Sequence, residues 1–481
     1  MARADPRSAV APFPGAAANR PQQQPQDRAS HADIGRDHAE MLRRWIWRDF
    51  ANILLGAWLI ASPATLGYRD TPMIWSDVAT GITVVVLGLL TLVPRFDLAR
   101  WGVCVSGIWL LFAPLVFWTR DAGAYANDTV VGALVIAFSV LIPMMPSHAH
   151  HEVMMTPGPD TPPGWSYNPS DWIQRGPIIA MAFLGFFLSR YLAAYQLGHI
   201  PYPWDPFFGD GTRRVLDSEI SKAWPISDTG LGAVSYMLEA LSGLMGGRNR
   251  WRTMPWMVVM FGVLVVPLGV VSIVLVILQP VAVGAWCTLC LVTAAAMLIM
   301  IAPAIDEVVA MGQFLVGARR ERRPFWRTFW VGGTLEQYKT TGPAASPATT
   351  EWQQRSTTAR IIAALDLKNV PWTLLLSATL GIWLMAAPAV LGISGRAADS
   401  NHLAGALVVT WAVIAFGEVA RPVRLLNIPM GVWVAISPWL LSGATDVSRW
   451  TDLLVGVLLI ALSIRRGRID EQFGGWNRWL I

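Results

Sequence analysis

Apolar residues run along this chain in stretches of roughly 20, each long enough to cross the hydrocarbon core of a bilayer as a helix, and polar, Pro-rich or Arg-rich segments separate them. Twelve such stretches stand near 50–68, 76–94, 101–118, 128–146, 176–195, 229–246, 254–279, 282–303, 370–392, 402–418, 425–442 and 450–464. The pattern predicts an all-α polytopic membrane protein of about 12 transmembrane helices in three blocks of four. Two segments lack such runs. Residues 1–42, rich in Pro, Gln, Ala and Arg, read as a disordered cytoplasmic tail rather than a cleavable signal or a folded domain. Residues 319–368, which hold a ThrThrGlyProAlaAlaSerProAlaThrThr linker, read as a cytoplasmic connector.

Charge then orients the spans. Only 14% of residues are charged, against 54% hydrophobic, and the net charge of +5 comes from short basic clusters beside apolar helices. Arg43, Arg44 and Arg48, Arg95 and Arg100, Arg248, Arg250 and Arg252, the run at 319–323, Arg421 and Arg424, and Arg465, Arg466 and Arg468 all fall in alternate loops. Positive loops stay inside, so both chain ends are expected in the cytoplasm. The chain shows no nucleic-acid signal, no Gly-rich phosphate loop and no Ser/His/Asp signature, and ATP-driven transport has no support.

A repeat frames the chain. GAWLIASP (56–63), GIWLLFAP (107–114), GIWLMAAP (381–388) and GVWVAISP (431–438) share Gly-x-Trp-x3-Ser/Ala-Pro. Each is followed by an acid or amide four residues before a Gly: Asp77 and Gly81, Asp128 and Gly132, Asn401 and Gly405, Asp452 and Gly456. One repeat is a helical hairpin. The motif Gly permits close helix approach, the Pro stops or kinks the first helix, and the Asp or Asn is expected to cap the returning one. These blocks resemble the SPW-repeat membrane proteins of bacteria. SerProTrp stands intact only at 437–439, with Ala64, Leu115 and Ala389 in place of Trp in the other copies. That resemblance implies a helical-pair module without established chemistry.

Candidate chemistry lies in the middle. The segment WCTLCL (286–291) holds two of the three cysteines, and the topology places Cys287 and Cys290 in the first two turns of a helix entering from outside. A Cys-x-x-Cys there puts both sulfurs on one side, where the helix N-terminus favours the thiolate of the first. Two readings stand at this point: a redox pair, or two small apolar packing residues. A metal role has no support, because no second ligand pair accompanies the cysteines, and HisAlaHisHis at 148–151 stands without a nearby Cys.

The run Trp286 to Ala294 resembles the active-site segment of the vitamin K epoxide reductase family. SerArgTyrLeu (189–192) and ValLeuAspSerGluIleSerLysAlaTrpProIleSer (215–227) are similar to that family's first-helix and loop motifs. The resemblance implies a four-helix bundle enclosing a quinone, ubiquinone or menaquinone, with Cys287 and Cys290 cycling between dithiol and disulfide. It implies that Cys290 faces the quinone and that a partner thiol attacks Cys287, with Ser218 and Tyr191 as donors to a ring carbonyl or caps of the pocket. One departure stands out. The family's loop cysteine pair is missing, and Thr212 stands where the inner one would fall. A separate periplasmic thioredoxin-like protein, a small-molecule substrate, or a bundle without turnover are the consequences open.

The expected domain order is then a tail (1–42), a repeat bundle (43–146), a linker (147–169), a vitamin K epoxide reductase-like domain (170–318), the connector (319–368), a second repeat bundle (369–468) and a C-terminal tail (469–481). The expected function is a thiol/quinone oxidoreductase of a bacterial inner membrane, with its dithiol near the periplasmic face. The alternative is a non-catalytic scaffold or small-molecule binding protein that keeps the family fold. Cys104 reads as packing. The loop acids Asp205, Asp210, Asp217, Glu219 and Asp228 read as solvated charges, and Glu239, inside a span, as a carboxyl facing a partner or cavity.

Overall fold

The computed structural model describes residues 46–141 (97 excepted), 153, 158–336 and 371–480 (468 excepted). The His-rich run at 148–151 and the linker at 340–350 lie outside the described residues. The described regular structure is helical, and Trp45–Ile481 forms one compact unit. Among the described residues ten helices are long and apolar enough to cross a membrane, so this is a multi-pass membrane protein.

The first four-helix block contains α1 (Trp47–Leu66), α2 (Thr71–Thr91), α3 (Ala99–Val116) and α4 (Ala122–Ile136). The central block contains α5 (Trp172–Gln196), the short loop helices α6 (Gly211–Leu216) and α7 (Glu219–Lys222), then α8 (Asp228–Leu244), α9 (Arg250–Thr253), α10 (Pro255–Leu278) and α11 (Thr288–Arg320). After α12 (Phe325–Val331), the last block contains α13 (Trp372–Leu391), α14 (Gly395–Ile414), α15 (Asn427–Leu440) and α16 (Asp446–Ile464). Two of the predicted spans, now α8 and α14, form helices but fall outside the ten: α8 has only 17 residues, and α14 starts with a polar turn, GlyArgAlaAlaAspSerAsn. The end of the bundles that carries Cys287 is called outer below.

Each hairpin crosses at its paired glycines. A Cβ on Gly56 would lie 2.9 Å from the carbonyl oxygen of Gly81. The equivalent distances are 2.9 Å for Gly107 to Gly132, 2.8 Å for Gly381 to Gly405 and 2.7 Å for Gly431 to Gly456. Only glycine lets backbones meet this closely, so the repeat encodes four copies of one contact.

The acid or amide of the repeat does not cap its helix, contrary to the expectation. The N-caps are Asp70, Asp121, Ser394 and Thr445. Asp77, Asp128, Asn401 and Asp452 sit two turns further in, buried to 0–2% exposure. Helix periodicity turns them into the bundle core, where Asp77 faces Asp128 and Asn401 Nδ2 donates to Asp452 Oδ2 at 3.1 Å. Asp70 and Asp121 instead pin the two outer loops reciprocally. Asp121 accepts from the backbone N–H of Arg69 (2.7 Å), and Asp70 accepts from that of Arg120 (3.1 Å) and from the Thr119 hydroxyl.

Several arginines read as topological markers are also structural. Arg250, fully buried, reaches both carboxylate oxygens of Glu307 at 2.5 Å. Arg175 donates to the carbonyls of Gly243, Met245 and Gly246 at the C-terminal end of α8. Together they tie α5, α8 and α11 at the inner end. The C-terminal segment is not a free tail: Phe473 is 1% exposed and packs edge-on against Trp165, with ring centroids 5.1 Å apart.

The paired glycines and acids give opposite expectations on mutation. Gly56→Leu should cost about 1–3 kcal/mol or more through overpacking and lower the thermal midpoint in detergent. Asp77→Asn reproduces the Asn401–Asp452 arrangement and removes one of two facing acids, so its midpoint should equal or exceed that of the unmutated protein.

Candidate functional site at the start of α11

After α10 the chain makes one wide turn, Gln279–Val283, and Gly284 follows at φ +65°, a conformation that L side chains rarely adopt. This delivers an extended Cys287 as the N-cap of α11, which begins at Thr288, well over a turn later than the predicted start of the span at 282. Cys287 and Cys290 form a disulfide with their Cα atoms 5.3 Å apart.

The first amides of a helix have no acceptor in a preceding turn, and two of them here find one in a side chain. The N–H of Cys287 donates to Gln279 Oε1 at 2.9 Å, and the N–H of Cys290 to Cys287 Sγ at 3.1 Å. The hydroxyl of Thr288, between the cysteines, donates to Asp205 Oδ1 at 2.5 Å.

Asp205 is the hub of the outer loop. Its Oδ1 also accepts from the N–H of Phe207 (3.1 Å) and Phe208 (2.9 Å), and its Oδ2 from the N–H (3.0 Å) and hydroxyl (2.6 Å) of Thr212. Burial pushes this carboxyl up, but the hydrogen bonds from Thr212, Thr288, Phe208 and Phe207 outweigh it and hold it well below the usual carboxylate range. Thr212, at the position of the missing loop cysteine, is 0% exposed and carries this clamp. In the sequence Asp205 reads as a solvated charge. Its role depends on residues 83 positions away.

The two sulfurs have different surroundings. Cys287 is 0% exposed, in a cluster with Leu192, Leu216 and Leu289 beneath the loop. Cys290 is half-buried and lines a cavity of about 120 Å³ between α5, the loop helices, α8, α10 and α11. That is close to the roughly 150 Å³ of an apolar cavity able to take one benzene ring. Its walls are mainly apolar in area, with Leu268, Val271 and Leu275 of α10 among them, and Ser218, Asp228, Tyr236 and Gln279 are among the polar members.

Of the residues singled out from sequence, Ser218 reaches the cavity with Cys290. Its hydroxyl donates to the carbonyl of Val215 (2.7 Å) and accepts from the N–H of Ser221 (3.3 Å), capping α7. Tyr191 packs beside the cysteines, outside the cavity wall, and its hydroxyl accepts from the N–H of Trp204 at 2.9 Å. Cys104 is buried and unpaired in the core shared by the first two blocks. Glu239 is fully buried with neither oxygen hydrogen-bonded, one turn from the cavity residue Tyr236. Gln279 carries no signal in the sequence, because nothing in a lone polar residue at a span end reveals that it will accept from Cys287.

Fold and site together define an all-α membrane protein with a Cys-x-x-Cys disulfide at a buried helix start, bordering an apolar cavity. Residues 177–305 match the model of the Vitamin K epoxide reductase family, and residues 45–142 and 371–466 that of the SPW repeat domain. The chain thus carries a vitamin K epoxide reductase family domain flanked on both sides by SPW repeat domains. No curated protein and no solved structure matches it.

The depressed carboxyl of Asp205 sets a pH expectation. A group whose folded value is lowered contributes stability above its unfolded value, about 3.9, and loses it as pH falls through the folded one. Hydrogen-exchange protection of the Phe207, Phe208 and Thr212 amides, corrected for intrinsic rates, should therefore hold steady from pH 7 to 5. Asp205→Asn should lower it at both values, and an equal fall in the unmutated protein between them would contradict the clamp.

Proposed function

We propose that the protein is a membrane thiol–disulfide oxidoreductase in which Cys287 and Cys290 exchange two electrons and two protons with a quinone. The observation that carries this reading is the asymmetry of the pair: Cys290 stands in the wall of an apolar cavity of ring size, while Cys287 is sealed from it at the helix N-cap. A flat apolar ring with polar oxygens suits a mainly apolar cavity with a few polar groups. Such a quinone, ubiquinone or menaquinone, supplies a two-electron, two-proton couple: as two S–H bonds break and one S–S bond forms, electrons and protons pass to the ring oxygens, and the reverse restores the dithiol.

The chain's own residues divide the work. The N–H of Cys290 and the start of α11 stabilise negative charge on Cys287. Gln279 fixes the backbone of Cys287 through its Oε1 and, being in the cavity wall, offers its amide N–H groups to a ring oxygen. Ser218 serves the same end if its hydroxyl turns from Val215. Tyr191 acts indirectly, by holding the Trp204 segment of the loop. By the positive-inside pattern, the site lies near the periplasmic face of a bacterial inner membrane, with both chain ends cytoplasmic. A separate thioredoxin-like protein then reaches Cys287 only once the loop over it is displaced.

That burial of Cys287, with Thr212 in place of a relay cysteine, favours a second reading: a non-catalytic scaffold that keeps the family fold. One experiment separates the two. Protein reduced with dithiothreitol and freed of reductant under anaerobic conditions should regain the Cys287–Cys290 disulfide on addition of ubiquinone or menaquinone, read by alkylation mass shift. Cys290→Ala should lose the response, and unmutated protein that stays reduced would leave the scaffold reading.

A further inference from the structure

A second, larger apolar space lies on the opposite side of α10 and α11 from the Cys290 cavity. It measures about 760 Å³ and is walled on one side by α10 and α11 and on the other by α13 and α14 of the C-terminal SPW repeat domain. Its lining is overwhelmingly apolar. Trp286, next in the chain to Cys287, bounds its outer end, edge-on to His402 of α14 with ring centroids 5.5 Å apart and a 74° interplanar angle.

Two residues belong to both spaces: Val276 of α10 and Ala294 of α11. The seam between these helices is tight towards the inner end, where a Cβ on Gly269 would lie 2.8 Å from Ile301 and one on Gly262 3.1 Å from Val308. Towards the outer end α11 presents Leu291, Ala294, Ala295 and Leu298 to the larger cleft. The wall between the cavities is thus a single layer of small or medium side chains.

The repeat itself leaves the cleft open. In the third copy of the motif the position after Ser/Ala-Pro is Ala389, where the fourth copy has Trp439. Trp439 is half exposed on its own bundle, whereas Ala389 lines the cleft. A tryptophan at 389 would project into the space.

We propose that this cleft binds the long apolar tail of the quinone whose ring meets Cys290, so that the C-terminal SPW repeat domain forms half of the substrate site. The inference rests on the quinone reading above. A cavity of about 120 Å³ has room for a ring but not for a ring and a whole polyprenyl chain, so the chain has to extend beyond it. Val276 and Ala294 form the wall that this cavity shares with a space of matching apolarity.

The test compares Ala389→Trp with the unmutated protein, using a polyprenyl ubiquinone and the tail-less ring compound menadione as oxidants of the reduced pair. The variant places in the third copy the residue that the fourth carries, so folding should be preserved, and its thermal midpoint is measured alongside. Ala64→Trp, the same change in the first copy and remote from the cleft, is the control. The KM for the polyprenyl quinone should rise in Ala389→Trp by about tenfold, the loss expected when roughly two buried methylenes are displaced, with menadione and the control unchanged. Unaltered KM for the long-tailed quinone overturns the tail site, as does an equal loss with menadione. Failure of both quinones to oxidise the unmutated protein overturns the redox reading, and this inference with it.

Discussion

The start of α11 is a helix end buried inside protein, and its free amides have to be satisfied from elsewhere. The residues around the cysteines follow from that constraint. Gln279 serves the amide of Cys287, the sulfur of Cys287 serves that of Cys290, and Asp205 takes the hydroxyl between them. The wide turn before α11 exists to aim Gln279 back at the cap, and Gly284 makes the reversal possible. The same hydrogen bonds that settle the helix also seat the disulfide and draw the outer loop down over Cys287.

That seating produces the asymmetry on which the proposed chemistry turns. One sulfur is locked in hydrophobic packing under the loop and the other meets a cavity. Thr212 is bonded through its hydroxyl to Asp205. That bond is a structural tie in the loop over Cys287.

The flanking bundles obey a simpler rule. Each hairpin brings two glycines into backbone contact, and the cores then fill with aliphatic side chains such as Leu59, Val84 and Val135 in the first and Leu384, Val408 and Leu459 in the second. The first bundle shares a core with the central domain through Leu111 and Leu115. The last bundle faces it across the apolar cleft.

Hydropathy and local pattern were enough to establish the helical membrane architecture, the hairpin repeat with its close glycine contacts, and the Cys-x-x-Cys at a helix start. Those features depend on residues a few positions apart, whose relation a helix fixes. Three-dimensional packing alone decided the rest. The repeat acids read as caps because their spacing from the Pro suits a loop, yet the helices begin earlier and turn Asp77, Asp128, Asn401 and Asp452 into the cores. Asp205 and Gln279 gain their roles, and Ser218 and Tyr191 their different distances from the cavity, from contacts between segments far apart in the chain. A hydrogen bond between Thr288 and a carboxylate 83 residues earlier leaves no period or motif in the sequence, because only the folded bundle brings its two ends together.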